Sequence, residues 1–298
     1  MSPDWIAVDW GTSSFRAWAM GDDGTVLGHT ASDRGMGGLQ PSAFEAALLD
    51  GIGAWLDGPT RIVACGMVGA RQGWVEAPYH AVPTAPLPGS FARPQTNDPR
   101  LDVHIIAGLS QDRPADVMRG EETQIAGFIA QNPKFDGILC LPGTHTKWAH
   151  ISAEEVVSFQ TFMTGEIFAL LADASVLRHS VSGEGWDDAA FSSAVSDTLS
   201  DPQKLAARLF NLRAEGLLHD MANATARARL SGLLIGAELS AARPYWLGQE
   251  VALIGAEALA RAYAQALQTQ GITATIADAT SMTLAGLTAA RAQLGDQP

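Results

Sequence analysis

The sequence predicts an α/β fold in two lobes, and three observations predict it. Strand-length apolar runs alternate with helix-period segments along nearly the whole chain. A strand, a Gly-Thr turn and a second strand occur once in each half, as VDWGTSSFRAW from Val8 to Trp18 and as CLPGTHTKWAH from Cys140 to His150. The 298 residues, 47% hydrophobic and 17% charged, suffice for two domains with sizeable cores.

DWIAVDW reads as a short buried strand, and FRAWAM as an alternating one with Phe15, Ala17 and Ala19 on one face. VLGHTA, after the Asp-Gly turn at residues 22–25, completes an antiparallel meander. Ser42 and Glu45 have capping-box spacing before a helix whose Phe44, Leu48, Ile52 and Trp55 share a face. RIVACG is a strand that runs into the glycine-rich loop GMVGARQGW. Residues 83–99 are rich in proline and aperiodic, which marks a functional or rim loop. VHIIAGL is a strand. GEETQIAGFIAQ is a helix with acids in its first turn, where they complement the dipole, and NPK ends it at a domain boundary.

DGILCLPGTHTKWAHI then reads as strand, turn and strand, and VVSFQTFM as a strand. Thr164 is placed to cap the helix GEIFALLADASVL. Residues 187–242 read as wholly helical, with a helix start at Asp201-Pro202. EVALIGAEALARAYAQAL is strand, glycine and helix, ITATIADA a strand, and SMTLAGLTAARAQL a terminal helix.

The net charge of −13 argues against binding to a nucleic-acid backbone or an anionic membrane surface. No uncharged apolar run reaches the ~20 residues that span a bilayer. MSPDW carries no basic region followed by an apolar stretch, so no signal peptide is expected. Cys65 and Cys140 both lie in apolar strand-like runs, which suits a reducing cytoplasm. The histidines at 29, 80, 104, 150, 179 and 219 show no metal-ligand spacing.

The repeated turn is built for anions. Glycine lets backbone N–H groups converge, and serine and threonine hydroxyls add donors. Two such turns could hold a polyphosphate, with Asp9 at the lip of the first carrying Mg²⁺ through water. A single Asp-x-Gly-Thr also serves many plain hairpins, so the second copy matters.

These segments, with CGMVGARQGWVEAPY, RGEETQIAGF, FQTFMTGEIFALL, LSGLLIGAEL and LIGAEALARAYAQAL, resemble the ASKHA superfamily of acetate and sugar kinases, Hsp70 and actin. They resemble the 2-dehydro-3-deoxygalactonokinases most closely. The resemblance implies a ribonuclease-H-like two-lobed kinase fold with a central inter-lobe cleft. The first lobe would be residues 1–131, joined by the C-terminal helix 281–298, and the second lobe residues 132–280. It implies ATP and Mg²⁺ as cofactors and phosphorylation of 2-dehydro-3-deoxy-D-galactonate at its 6-hydroxyl, in galactonate catabolism. A kinase for another sugar or sugar acid, and a non-catalytic ATP-binding switch of the actin or Hsp70 kind, are the alternatives. A homodimer is left open.

By the same resemblance, Asp9 organises Mg²⁺ and Gly11, Thr12 and Ser13 hold ATP phosphates. Gly143, Thr144, His145, Thr146 and Lys147 form a second phosphate loop, where Leu141 stands in the place of Asp9. Glu121 or Glu122 is the base for the acceptor hydroxyl, with Glu121 preferred because it follows glycine at the start of a helix of small residues. Gly255 belongs to an adenosine loop. The residues themselves suggest Arg71 for the substrate carboxylate, since a guanidinium matches it bidentately, and Gln72 for a sugar hydroxyl. Arg16 and Arg119 are alternatives to Arg71, and Thr164 and Glu166 are expected to line the sugar side.

Overall fold

The computed structural model describes residues 2–295. The chain forms two compact units: Met1–Phe135 with Ile151–Ser158 and Ala279–Pro298, and Asp136–His150 with Phe159–Asp278.

The first unit begins with the expected meander, β1 (Trp5–Trp10), β2 (Phe15–Met20) and β3 (Val26–Ser32). Helix α1 (Phe44–Ile52), β4 (Thr60–Cys65), β5 (Tyr79–Ala81), β6 (Phe91–Ala92), β7 (Leu101–Ile106), β8 (Gly108–Gln111), β9 (Asp116–Met118) and α2 (Glu121–Gln131) follow. The strands β10 (Gly137–Leu141), β11 (Thr146–Ser152) and β12 (Glu155–Phe162) open the second sheet, all but residues 151–158 falling in the second unit. The helices α3 (Thr164–Ala174), α4 (Asp188–Ser200), α5 (Leu205–Leu218), α6 (Asn223–Ala241) and α7 (Arg243–Trp246) come next. It closes with β13 (Val251–Gly255), α8 (Glu257–Gln268) and β14 (Thr275–Asp278), before α9 (Ala279–Gln293) returns to the first unit.

The two large sheets repeat one topology. The first runs β3-β2-β1-β4-β7-β6 and the second β12-β11-β10-β13-β14. In each, three consecutive strands lie side by side, and two later strands add on the far side of the first. β1 pairs antiparallel with β2 and parallel with β4, and β10 pairs parallel with β13. The first sheet has one extra edge strand, β6, inside the stretch read as aperiodic. A small third sheet, β5-β8-β9, belongs to the first unit.

Strand periodicity decides what each face of the first sheet meets. Ile6, Val8, Trp10, Phe15 and Ala17 face the buried Phe44, Leu48 and Ile52 of α1. Trp5, Ala7, Trp18, Met20, Val63 and Cys65 turn the other way, onto Ala126 of α2 and Leu287 and Ala290 of α9. Helices α2 and α9 approach closely because Gly127 and Gly286 meet backbone of the opposite helix where a Cβ would collide. This packing anchors α9 in the first unit; positions 296–298 of the expected C-terminal helix lie outside the described residues.

Several local expectations are corrected. Ser42 does not cap α1: Pro41–Ala43 forms a 3₁₀ turn, and the Glu45 carboxylate instead accepts the backbone N–H groups of Asn97 and Asp98. Thr164 is the first residue of α3 rather than its cap. The stretch 187–242 is broken at residues 219–222, between α5 and α6. Residues 151–158 group with the first unit, where Val156 exchanges two backbone hydrogen bonds with Thr84. No helix among the described residues is long and apolar enough to cross a membrane.

Candidate functional site

In the first unit the site grows from the carboxyl ends of parallel strands, where α/β sheets carry ligands. Asp9 is next to last in β1 and shares the face of Trp5 and Ala7, so its carboxylate points to the α2 and α9 side. There it pairs with Arg16, its cross-strand partner on β2. Arg16 also reaches the Thr280 hydroxyl of α9 at 3.3 Å and lies over the Trp18 ring. The Cys65 thiol at the end of β4 lies 3.9 Å from Asp9. Burial, and then the Asp9 charge, push that thiol well above its usual pKa.

Gly66 and Gly120 bring the next groups in. Both have positive φ, +92° and +107°, which favours glycine. Gly66 packs against the Trp10 carbonyl and Asp9, and Gly120 packs against Gly66, so the start of α2 is held beside the end of β1. The two glutamates then separate. Glu122 is fully buried, accepting the Gly120 N–H at 2.6 Å and the Thr123 hydroxyl at 3.0 Å. Burial, reinforced by the Glu121 charge, pushes its carboxyl up to about 7. Glu121 is partly exposed, and its carboxylate accepts the Arg119 backbone N–H at 3.1 Å.

The first turn itself is tightly braced. Gly11 N–H donates to the Ser14 carbonyl, while the carbonyls of Gly11 and Thr12 accept from Met36 and Gly37. The Gly11 N–H is thus spent inside the turn, and the exposed Thr12 and Ser13 are what the turn offers to a ligand.

The second turn meets a different environment. Gly143 and Thr144 form one wall of a cavity of about 430 Å³. Its other walls include Thr164, Phe168, Trp186, Leu234, Leu259 and Tyr263. The turn rests on the first turn of α3: Glu166 N–H donates to the Thr144 carbonyl at 2.9 Å, and a Cβ on Gly165 would collide with the Gly143 carbonyl. His145 pairs with Glu166 at 2.6 Å.

Three members of the expected second loop are therefore placed differently. Thr146 and Lys147 are buried in β11 because the strand begins there, and the Thr146 hydroxyl lies 2.9 Å from that of Tyr263. His145 is engaged with Glu166 and does not line the cavity. Gly255 packs against Pro142, and the cavity is lined one turn later by Ala258, Leu259 and Ala262. Thr164 lines the same cavity as Gly143, while Glu166 turns to His145.

The arginines also separate. Arg71 is 79% exposed, with Glu76 at 3.3 Å as its partner. Gln72 beside it is exposed. Arg119 is buried, lying over the Tyr79 ring 4.3 Å from its centroid and donating to the Ala77 carbonyl at 2.7 Å.

Among the described residues no group of three or more His, Cys, Asp or Glu side chains could hold a metal. Mg²⁺ does not require one, since it keeps several waters and binds through one or two carboxylates plus phosphate oxygens. Asp9, with its side chain 18% exposed, fits that need as a single carboxylate.

Sequence reasoning missed Glu238. It is a lone acid within the apolar run LLIGAELSA of α6, and it is 3% exposed. An acid at a core position of a helix was the available signal.

A family model described as 2-keto-3-deoxy-galactonokinase matches residues 9–290. A protein of Rhizobium meliloti (strain 1021) named a probable 2-dehydro-3-deoxygalactonokinase is 42% identical over 294 residues, 96% of each chain. The 2-dehydro-3-deoxygalactonokinase of Escherichia coli (strain K12) is 34% identical over 274 residues, 91% of each chain. A crystal structure of a protein from Sinorhizobium meliloti, described as a putative 2-dehydro-3-deoxygalactonokinase, superposes with a TM-score of 0.91 at 40% identity, covering 98% of this chain and 100% of the other. The match takes in Asp9, both Gly-Thr turns, the paired glutamates of α2 and most of α9 together, and on that extent the chain belongs to the 2-keto-3-deoxy-galactonokinase family.

Proposed function

We propose that this chain transfers the γ-phosphoryl group of ATP to the 6-hydroxyl of 2-dehydro-3-deoxy-D-galactonate. The observation that carries the reading is the nearly chain-long identity to two proteins named for that kinase activity. An acid-bearing site within the first unit and an apolar cavity within the second are both consistent with it. Phosphoryl transfer is mostly positioning and charge stabilisation, so it needs few reacting groups.

Glu121 is the base. It is the accessible one of the pair, at the first position of α2, and it takes the acceptor proton as the hydroxyl oxygen bonds to phosphorus and the bond to ADP breaks. Glu122 is a strut: fully buried, it fixes Gly120 and Thr123 so that Glu121 keeps its place. Thr12 and Ser13 donate to phosphate oxygens, and Arg16 lies within reach of charge that builds beside Asp9. Asp9 would hold Mg²⁺ through water, and the ion would screen phosphate charge there. Arg71, the exposed guanidinium of its loop, pairs with the substrate carboxylate, and Gln72 meets a hydroxyl. The cavity behind Gly143 and Thr144 takes the nucleoside, whose base packs on Phe168, Leu234 and Leu259.

The test is ADP release from Mg-ATP, with and without 2-dehydro-3-deoxygalactonate. The 2-dehydro-3-deoxygluconate epimer and neutral galactose serve as controls. Strong stimulation by the galactonate derivative alone is expected. Turnover indifferent to all three compounds would overturn the reading.

A further inference from the structure

We propose that Glu238 is the positioning residue of the nucleotide cavity, its buried carboxylate fastening two wall residues, Thr164 and Tyr263, to the strand that leaves the second Gly-Thr turn. The inference rests on the reading of that cavity as the ATP site.

The geometry is specific. One carboxylate oxygen accepts the indole N–H of Trp148 at 2.8 Å, and the other accepts the Tyr263 hydroxyl at 2.7 Å. The hydroxyls of Thr164 and Thr146 complete the set. Four elements, β11, α3, α6 and α8, are thereby tied at one point. Thr164 and Tyr263 line the cavity, and Thr146 is two residues past Thr144, which lines it as well.

An acid is costly here. A buried charge must be fully hydrogen-bonded to be tolerated, and an apolar residue of similar size would often pack as well. An apolar side chain at 238 would, however, take this acceptor from the Trp148 indole N–H and the Thr164 hydroxyl and leave the Tyr263 and Thr146 hydroxyls only each other. Burial raises the Glu238 pKa, and the four donors oppose that rise. A carboxylate offers acceptors on both oxygens, whereas glutamine replaces one of them with a donor amide. The conservative change Glu238→Gln therefore keeps the volume and breaks the pattern.

The cavity walls follow from this knot. Tyr263 reaches Glu238 from α8 and Thr164 from the start of α3, the helix on which the Gly143-Thr144 turn rests. Loosening the knot shifts the walls against the turn and weakens nucleotide binding. It leaves Glu121, Arg71 and Gln72 untouched.

The experiment measures Mg-ATP affinity by calorimetry, and KM for ATP and for the sugar acid, in wild type, E238Q and Tyr263→Phe. The phenylalanine variant keeps the ring in the wall and removes only the hydroxyl. Circular dichroism and a cooperative thermal melt identify folded protein. The expected result is ATP affinity about tenfold weaker in E238Q, and weaker by a smaller factor in Y263F, with KM for the sugar acid unchanged. Wild-type ATP affinity in folded Y263F and E238Q would overturn this proposal alone. Equal rises in both KM values would overturn it in favour of a general structural role. A wild-type chain that binds no Mg-ATP would overturn the parent reading as well.

Discussion

The two Gly-Thr turns stand at the same point of the same topology, between the first and second strands of sheets that share one strand order. What lies behind them differs. Two residues before Gly11 stands Asp9, partly exposed and paired with Arg16; two residues before Gly143 stands Leu141, 3% exposed. The first turn is braced by the backbone of Met36 and Gly37, and its neighbourhood collects Cys65, Glu121 and Glu122. The second is braced by α3 and opens onto an apolar cavity. A duplicated frame thus carries two different surroundings, set by the side chains behind each turn.

The most disruptive way to break the comparison is to make the turns alike. Leu141→Asp would bury a carboxylate among apolar neighbours, and the expected loss of stability is on the order of 3 kcal/mol or more, read by urea unfolding. An unchanged midpoint would mean that the second turn tolerates an acid and that the asymmetry is incidental. Asp9→Asn removes the acid from the first turn. Sugar-dependent ADP release should fall by at least about a hundredfold while the fold persists.

A second effect sharpens the contrast through pH. The Glu122 carboxyl is raised from an ordinary 4.5 to about 7 in the folded chain. A raised carboxyl favours the folded state while protonated, so its contribution is complete below the lower value and is lost as pH rises through the upper one. The swing is about 3 kcal/mol at most. Unfolding free energies at about pH 5 and about pH 8 should differ by less in Glu122→Gln than in wild type. An identical pH dependence in the two would place the buried charge elsewhere.

The smallest effect concerns the loop after β4. Arg71→Ala should leave stability unchanged, because the side chain is 79% exposed. It should raise KM for the sugar acid by about tenfold, the scale of one charge-assisted hydrogen bond. An unchanged KM would remove Arg71 from the substrate site.

Much of this was legible in the sequence, for a physical reason. The β1 to β3 meander, the strand-turn-strand repeat and helices α2, α8 and α9 are written in local periodicity, and local rules set them. Glu121 and Glu122 were legible as a pair and not as individuals. Which of them is buried depends on the elements packed against α2, among them α9 more than 150 residues later, and no local pattern carries that. Thr146 and Lys147 were misplaced by one strand boundary: the turn ends at His145, and the next two side chains already belong to a packed sheet. Ser42 met every local condition for a cap, yet Glu45 found better partners at Asn97 and Asp98. Glu238 stood in plain view as a lone acid on an apolar helix. Its meaning came only from donors on β11, α3 and α8.

The central claim is a division of labour: the first unit carries the acid chemistry and the second holds the nucleotide. The most direct test is ATP affinity measured beside kcat in two variants, Glu121→Gln and Ala258→Trp. Ala258 is exposed at the cavity rim, so the larger side chain fills the cavity without disturbing a core. Ala258→Trp should weaken ATP binding by at least about tenfold and leave kcat at saturating ATP within about twofold. Glu121→Gln should cut kcat by about a hundredfold or more with ATP affinity unchanged. Ala258→Trp that binds ATP as wild type does, or Glu121→Gln that turns over normally, would contradict the account.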